Sequence, residues 1–275
     1  MPRKIKNKNY TLSIKVLTMI SATFVIFIAG YLITSKDAEA LVNKPAQIQT
    51  TVSKLTVPIL TYHRIREYKD TDTIKTKAFI VTPEDFEKQM KYLHNNNYNV
   101  ITFTDLLNGF SGVSLPKKAV ILSFDDGYEN QYVNALPILE KYHFVGTFFI
   151  FTNAISSYHD YMTWDEVREL HKQGMIIGAH TKSHPKLTKI KTEKGLEDEI
   201  VGGKQILEEK LGILIEYFAY PYGLNNDTVL GVVKNAGFLL AVGTKKGDDQ
   251  ELQDIYRLER NNINGNFSSF LKAIH

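Results

Sequence analysis

Short runs of consecutive apolar residues recur along the chain from about residue 57 onwards, separated by polar and glycine-containing segments. A run of four to eight apolar residues that is rich in β-branched and aromatic types is typical of a strand buried on both faces. On this basis we predict seven strands, at Val57–Tyr62, Ala119–Phe124, Val145–Phe151, Met175–Ala179, Tyr217–Tyr220, Leu239–Gly243 and Ile255–Leu258.

Between these runs the apolar residues take up a helical spacing. The clearest helix covers residues 83–95, where Thr82 is a suitable N-cap and Pro83 occupies the first turn. Strands that alternate with helices favour a parallel sheet, either closed into a barrel or open and covered on both faces. The further predicted helices are Asn134–Tyr142, Thr163–Gln173, Thr192–Leu211, Asp227–Asn235 and Phe267–Ala273.

The N-terminal region has a different pattern, in which a basic cluster precedes a long uncharged segment. Val16–Ser35 has 20 residues without a charge, enough for a helix to cross a hydrocarbon core of about 30 Å. Ala38-Glu39-Ala40 suits a signal peptidase, so residues 1–40 are predicted to be a cleaved signal peptide or a retained membrane anchor. The basic lead orients the N-terminus inward, which predicts an extracytoplasmic body, secreted or anchored at the cell surface.

Residues 41–56 are polar and lack a regular period, so we interpret them as a linker and expect the folded domain to cover residues 57–275. The chain has no cysteine, which excludes disulfides, thiolate metal sites, cysteine nucleophiles and a lipoprotein anchor. Five basic residues precede residue 16, and subtracting them from the net charge of +3 leaves −2 for residues 16–275. A body of this charge is not expected to bind nucleic acid.

Two polar clusters follow predicted strands, at the end of the sheet where parallel α/β folds carry their chemistry. The sequence SFDDG at residues 123–127 has adjacent carboxylates, which repel each other unless a cation lies between them. A metal ligand beside a general base would satisfy this pair, and a plain Asp-Gly turn is the alternative. The sequence HTKSH at residues 180–184 presents two imidazoles, which with one carboxylate suit zinc and related ions. Two solvated loop histidines are the alternative there.

Two further features lie at the same predicted end of the sheet. The sequence FAYPYG at residues 218–223 turns through a proline and a glycine, where a backbone N–H could face an anionic intermediate. An ordinary turn is the alternative. His63 directly follows the first predicted strand. Of the aromatic residues Tyr62, Trp164 and Tyr222, we assign only Tyr222 to the site, because most aromatic residues in such a chain belong to the core.

SFDDG, HTKSH and FAYPYG, in this order and at these separations, resemble the three leading motifs of the polysaccharide deacetylases, the NodB-homology domain of carbohydrate esterase family four. The resemblance covers about residues 57–275. Tyr62-His63, and Ala219 where most members have arginine, are similar to the branch of intercellular adhesin biofilm N-deacetylases. The resemblance implies a distorted (β/α) barrel with fewer than eight strands, preceded here by the membrane-targeting helix.

The resemblance also implies a metal site. Asp126, His180 and His184 would hold a divalent metal, with Zn²⁺ favoured and Co²⁺, Ni²⁺ or Fe²⁺ as alternatives. Asp125 would be the general base. Protein-bound zinc lowers the pKa of a coordinated water to about 7, so a neighbouring carboxylate can take its proton as the water attacks an acetamide.

The remaining catalytic roles follow from the same resemblance. The N–H of Tyr222 would meet the tetrahedral oxyanion. Most of the family use a late histidine as the general acid, but here the only histidine after His184 is His275, the last residue. His63 is therefore expected to be the acid that protonates the leaving amine.

The position of Ala219 leaves the general base without the usual arginine. A buried base beside a metal ligand needs a nearby cation to stay ionised. We expect Arg260 to reach Asp125 from another direction, with Arg257 as the alternative and two solvated surface arginines as the non-functional interpretation.

The expected function is metal-dependent N-deacetylation of N-acetylglucosamine units in an exported polysaccharide, with poly-β-1,6-N-acetylglucosamine of a biofilm matrix as the favoured polymer. Peptidoglycan or chitin oligomers are alternative substrates, and O-deacetylation of acetylated xylan is an alternative reaction. A catalytically silent glycan-binding module at the cell surface is the non-enzymatic alternative, which the complete set of candidate site residues argues against. The expected partners are the polysaccharide and, through the N-terminal segment, a membrane.

Overall fold

The computed structural model describes residues 51–274, so the predicted helix at Val16–Ser35 lies outside the described residues. None of the helices in residues 51–274 is long and apolar enough to cross a membrane. The strands are β1 Lys54–Thr56, β2 Ile59–Tyr62, β3 Arg64–Ile65, β4 Ile80–Val81, β5 Asn99–Val100, β6 Ala119–Asp126, β7 Thr147–Ile150, β8 Ile176–Ala179, β9 Tyr217–Ala219, β10 Leu240–Val242, β11 Asp249–Glu251 and β12 Asn261–Asn262.

The helices lie between these strands and after the last one. They are α1 Ile74–Lys77, α2 Pro83–Asn95, α3 Phe103–Phe110, α4 Leu136–Lys141, α5 Trp164–Lys172, α6 Glu193–Leu211, α7 Asp227–Asn235 and α8 Phe267–Lys272. A π-helical turn at Gln131–Ala135 leads into α4, and short 3₁₀ turns occupy Leu187–Lys189, Pro221–Gly223 and Leu252–Asp254.

Seven parallel strands form one continuous sheet in the order β10-β9-β8-β7-β6-β2-β12, and β5 pairs with the start of β6 outside this row. The sheet curls so that one short segment serves both of its edges. Leu258 forms a parallel bridge with Val242 of β10, and Asn261 and Asn262 form β12 beside β2. The predicted α/β class with a parallel sheet is confirmed, and the sheet is curled into a half-barrel that has eight strands when β5 is counted.

The strands read as continuous apolar runs because both faces of the sheet are covered. Successive side chains of a strand point to opposite faces, and here they fall into two apolar clusters. Ile121 of β6 packs with Ile59 and Phe149, together with the apolar residues of α3. Its neighbour Leu122 belongs to the cluster that most of the other helices cover.

The prediction of a strand at Ile255–Leu258 is wrong. Ile255 donates its N–H to Leu252 at the end of a 3₁₀ turn, and within the predicted range only Leu258 makes a bridge to the sheet. The strand lies instead at Asn261–Asn262, which has no apolar pattern. The apolar side chains of Ile255 and Leu258 are explained by packing in the cluster of Ile59, Ile121 and Phe149, called the inner cluster below, rather than by a strand ladder.

Several short elements were not predicted, and β1 and α3 are two of them. The last three residues of the predicted linker form β1, which pairs antiparallel with β11. Helix α3 was also missed, although Thr102 and Asp105 form a capping box at its start. Its eight residues contain an internal glycine, Gly109, and this makes the sequence signal weak.

Candidate active site

The site is built on the carboxyl end of β6, where the two adjacent aspartates lie. Successive side chains of a strand point to opposite faces, so those of Asp125 and Asp126 contact different groups. Asp126 has a φ of 81° and Gly127 a φ of 80°, so the chain turns sharply in the left-handed region at this point. An aspartate held there is strained by roughly 1–3 kcal/mol, which is typical of residues retained for function.

Asp126 and the two histidines of residues 180–184 converge. An oxygen of the Asp126 carboxylate lies 3.5 Å from Nε2 of His180 and 3.3 Å from Nε2 of His184. One ligand atom from each residue lies within 4.8 Å of the other two. The three residues therefore present two imidazole nitrogens and one carboxylate oxygen to a common point, a donor set suited to zinc and related divalent ions.

The ring of His180 is fixed by a backbone contact. Its Nδ1 lies 2.7 Å from the carbonyl oxygen of Ala219, which requires Nδ1 to carry the proton in the neutral ring. The lone pair of Nε2 then faces Asp126 and His184, as is usual for histidines that bind metals. Ala219 thus contributes its main chain to the site.

The charges in the cluster differ between its members. Burial opposes ionisation of Asp126, but the hydrogen bond that His180 donates from Nε2 when its ring is protonated, together with the nearby imidazoles, outweighs it and holds the pKa of Asp126 below its ordinary range. Burial lowers the pKa of His184 to about 4, and the charge of His180 acts in the same direction. At neutral pH the Asp126 carboxylate is ionised and the His184 ring is neutral, which are the forms that metal ligands need. The pKa of His180 is raised by the two aspartates despite its burial, so an ion that binds here would have to displace the Nε2 proton of His180.

Asp125 faces Arg260, which lies in the segment that follows the last 3₁₀ turn. The guanidinium holds both carboxylate oxygens, with Nη1–Oδ1 and Nη2–Oδ2 distances of 2.7 Å each. Arg260 is 1% exposed and also donates from Nε to the carbonyl of Gly243. Burial alone would raise the pKa of Asp125, but the charge of Arg260 holds it below its ordinary value. Arg257, the alternative partner, contacts Asn225 and Asp227 instead.

A cavity of about 600 Å³ opens over these residues. Its lining contains all the other predicted site residues, and Arg260 is absent from it because this side chain lies behind Asp125. Arg260 can therefore act on the reaction only through Asp125. The predicted site residues that line the cavity are His63, Asp125, Asp126, His180, His184 and Tyr222.

His63 directly follows β2 and lines the same cavity as His180 and His184. Its ring packs edge-on against Phe79 at a centroid distance of 4.8 Å. Burial lowers the pKa of His63, while the carboxylates of Asp126 and Asp125 act in the opposite direction. The net effect is a pKa of His63 below its ordinary value.

Tyr222 forms the rim of the cavity and is 54% exposed. Its ring centroid lies 4.7 Å from that of His184. Its φ of 59° is in the left-handed region, and Gly223 follows with a φ of 67°. A Cβ on Gly223 would lie 1.9 Å from Oγ1 of Thr244, so only glycine allows this turn. The other two aromatic candidates are core residues, since Tyr62 is fully buried and Trp164 packs against the larger cluster.

Several cavity residues carry no signal in the sequence motifs. Tyr128 lies beneath the guanidinium of Arg64, 3.8 Å from ring centroid to Cζ. Lys75, Thr76 and Phe79 line the cavity from α1 and the residues that follow it. Tyr128 directly follows SFDDG, a position that could have identified it. The three loop residues fall in the segment of residues 68–79, which the sequence suggests only as a candidate groove wall.

Known proteins are similar to this chain in both sequence and fold. The family model for polysaccharide deacetylases matches residues 112–241. The chain is 31% identical over 198 residues to the poly-beta-1,6-N-acetyl-D-glucosamine N-deacetylase of Staphylococcus aureus, and the match covers 65% of this chain and 68% of that relative.

Two solved structures are similar throughout the described fold. The Streptococcus pyogenes deacetylase PplD in complex with acetate is 27% identical, with a TM-score of 0.73 that covers 82% of this chain and 100% of that chain. A polysaccharide deacetylase from Bacillus cereus is 27% identical, with a TM-score of 0.70 that covers 81% of this chain and 70% of that chain. With these similarities and the geometry above, the chain belongs to the polysaccharide deacetylase family and is a deacetylase hydrolase.

Proposed function

We propose that this deacetylase is metal-dependent and removes acetyl groups from N-acetylglucosamine units of an exported polysaccharide. The observation that carries the proposal is the convergence of Asp126, His180 and His184 beside the Asp125–Arg260 pair, in one cavity with His63. The donor set fits a divalent ion, with Zn²⁺ favoured, because two oriented imidazoles and one ionised carboxylate leave positions for water and substrate.

The chain's own residues supply the acid–base chemistry in this proposal. A divalent ion, when bound, would polarise the acetamide carbonyl and make a water more acidic. Asp125, kept ionised by Arg260, accepts the proton of the attacking water. His63 donates a proton to the departing amine, since an amine leaves far more readily when protonated. The N–H of Tyr222 stabilises the oxyanion, a donor of a type that is worth about 2.7–4 kcal/mol.

Poly-β-1,6-N-acetylglucosamine is the polymer that we propose. It is supported by the named substrate of the S. aureus relative and by the open cavity, whose rim offers the exposed ring of Tyr222 to a sugar. Removal of acetyl groups converts neutral sugars into amines, and the cationic polymer would adhere to anionic surfaces of a biofilm. We also propose that the deacetylase domain acts outside the cytoplasm. The basic residues before the uncharged segment in residues 1–40 support this orientation.

Acetate release from defined oligomers tests this proposal. We expect release from β-1,6-linked N-acetylglucosamine oligomers in the presence of Zn²⁺, and loss of release after treatment with a chelator. His184→Gln should abolish both zinc binding and acetate release, whereas His171→Gln, an exposed histidine on α5, should change neither. Faster release from β-1,4-linked oligomers or from acetylated xylan would transfer the proposal to those substrates.

A further inference from the structure

The pairing between strands β2 and β6 ends just before His63 and Asp125. The ladder between β2 and β6 ends at the pair Tyr62–Phe124, so His63 and Asp125 are the first residues beyond it. Without another link, the two strand ends would be free to separate where the cavity opens. Under the function proposed above, these two residues are the general acid and the general base, whose separation must be held closely.

A single side chain bridges the two strand ends. The amide nitrogen Nε2 of Gln131 donates to the carbonyl oxygen of His63 at 2.7 Å and to that of Asp125 at 2.6 Å. Gln131 is fully buried. The two hydrogen bonds of this amide group therefore link the strand ends where backbone pairing between β2 and β6 has stopped.

The bridge belongs to a polar turn that holds the segment after β2. Gln131 starts the π-helical turn, and Asn130 and Asn134 bond Ile65, which lies two residues after His63. Oδ1 of Asn130 accepts the N–H of Ile65 at 2.6 Å, and Nδ2 of Asn134 donates to the carbonyl of Ile65 at 2.7 Å. Turns of the π type are rare and occur often at functional sites.

Stability alone is a poor explanation for this glutamine. Its Oε1 is buried without a hydrogen-bond partner among the described residues, and such an acceptor is unfavourable. A buried polar group that is only partly satisfied calls for a specific reason. We propose that Gln131 is a positioning residue, which sets the distance between His63 and Asp125 by holding their main chains. This inference rests on the proposed function.

The substitution Gln131→Met tests it, because methionine has a similar length but offers no donor. We expect kcat to fall by about 10- to 100-fold, since a displacement of about 1 Å at a catalytic group is enough for the larger effect. The KM should stay within about twofold of wild type, because the rim is untouched. The affinity for Zn²⁺ is measured in parallel, since Asp126 directly follows Asp125 and a displacement that reaches it would weaken this affinity. The crystal structure of the variant should show the His63 and Asp125 main chains further apart.

The matched control is Gln89→Met on α2. Gln89 is equally buried and bonds the Tyr62 hydroxyl and the Asn264 carbonyl, but it contacts neither His63 nor Asp125. It should lose stability and keep kcat. If Gln131→Met does not fold, Gln131→Asn is measured in the same way, because the shorter amide cannot reach both carbonyls.

Two results would overturn the proposal: a kcat that falls no further in the folded Gln131 variant than in Gln89→Met, or unchanged main-chain positions at His63 and Asp125. A proposed function that fails looks different. In that case the wild-type protein and Gln89→Met release no acetate, while the crystal structure of the variant still reports whether Gln131 holds the two strand ends.

Discussion

At the scale of single residues, the site depends on side chains that neutralise or orient one another. Asp125 and Arg260 are 135 positions apart in the sequence, yet they form a bidentate ion pair that is almost completely buried. Burying two charges is unfavourable by itself, and the pair is sustained because the guanidinium also bonds the Gly243 carbonyl and the Ser123 hydroxyl. Removing either partner would leave an uncompensated charge.

We predict that Arg260→Ala lowers the free energy of unfolding by about 3–5 kcal/mol and lowers kcat at pH 7 by about 100-fold. Urea unfolding and acetate release measure the two effects. Arg257→Ala is the control, since Arg257 pairs with the exposed Asp227 and should cost less than about 1 kcal/mol. Equal activity in Arg260→Ala and wild type would remove Arg260 from the mechanism.

The same variant should change the pH dependence. In wild type the pKa of Asp125 is depressed, so this carboxylate stabilises the fold above about pH 4 and loses that contribution as the pH falls through its folded value. Without Arg260, burial raises the pKa. The acidic limb of the kcat profile should then move to higher pH, because the base must be ionised to accept a proton. A limb that stays in place would contradict the assignment of Asp125 as that base.

At the scale of secondary structure, the strands place the site because their carboxyl ends meet at one edge. β6 delivers the aspartates, β8 delivers His180, and β9 delivers the carbonyl that orients it. Strands β7 and β8 pack closely, since a Cβ on Gly178 would lie 2.5 Å from the ring of Phe149. Phe149 in turn lies beneath the guanidinium of Arg260. A glycine in β8 thus sets the packing around the ion pair.

We predict that Gly178→Ala destabilises the protein by about 1–3 kcal/mol, because the added methyl group overpacks the inner cluster. Thermal unfolding measures the change. The control is Gly231→Ala in α7, where the added Cβ meets nothing within 4 Å and should be neutral or stabilise the helix by up to about 1 kcal/mol. A neutral Gly178→Ala would mean that Phe149 has room to move.

The helices and strands differ in how well the sequence predicts them. The predicted bounds of α2 and α7 agree with the structure at both ends, since Thr82 and Asn226 cap them with their side chains. The strand predicted at Ile255–Leu258 is wrong because a short apolar run can also be a buried loop. Strand β12 is formed by two asparagines and is recognisable only beside β2.

At the scale of the whole molecule, metal binding should stabilise the fold, because Asp126 and the pair His180 and His184 come from separate parts of the chain and meet only in the folded state. We predict that Zn²⁺ at about 100 times its dissociation constant raises the free energy of unfolding by about 2.7 kcal/mol relative to protein stripped of metal by a chelator. This corresponds to a rise in Tm of about 5–10 °C. Differential scanning calorimetry measures the shift. Asp126→Asn keeps the shape of the ligand but not its charge, and its shift should be much smaller. An equal shift in both proteins would place the ion elsewhere.

The sequence by itself determined the α/β class and the residues that could be ligands, acids and bases. Apolar periodicity and the order of motifs are properties of the sequence itself, so they can be recognised without knowing the fold. Only the tertiary structure decided which of these residues meet. Arg260 rather than Arg257 reaches Asp125, Ala219 contributes a carbonyl, and Gln131 links two strand ends. Such contacts join positions far apart in the chain, and their geometry is set by how the sheet curls rather than by any neighbouring residue.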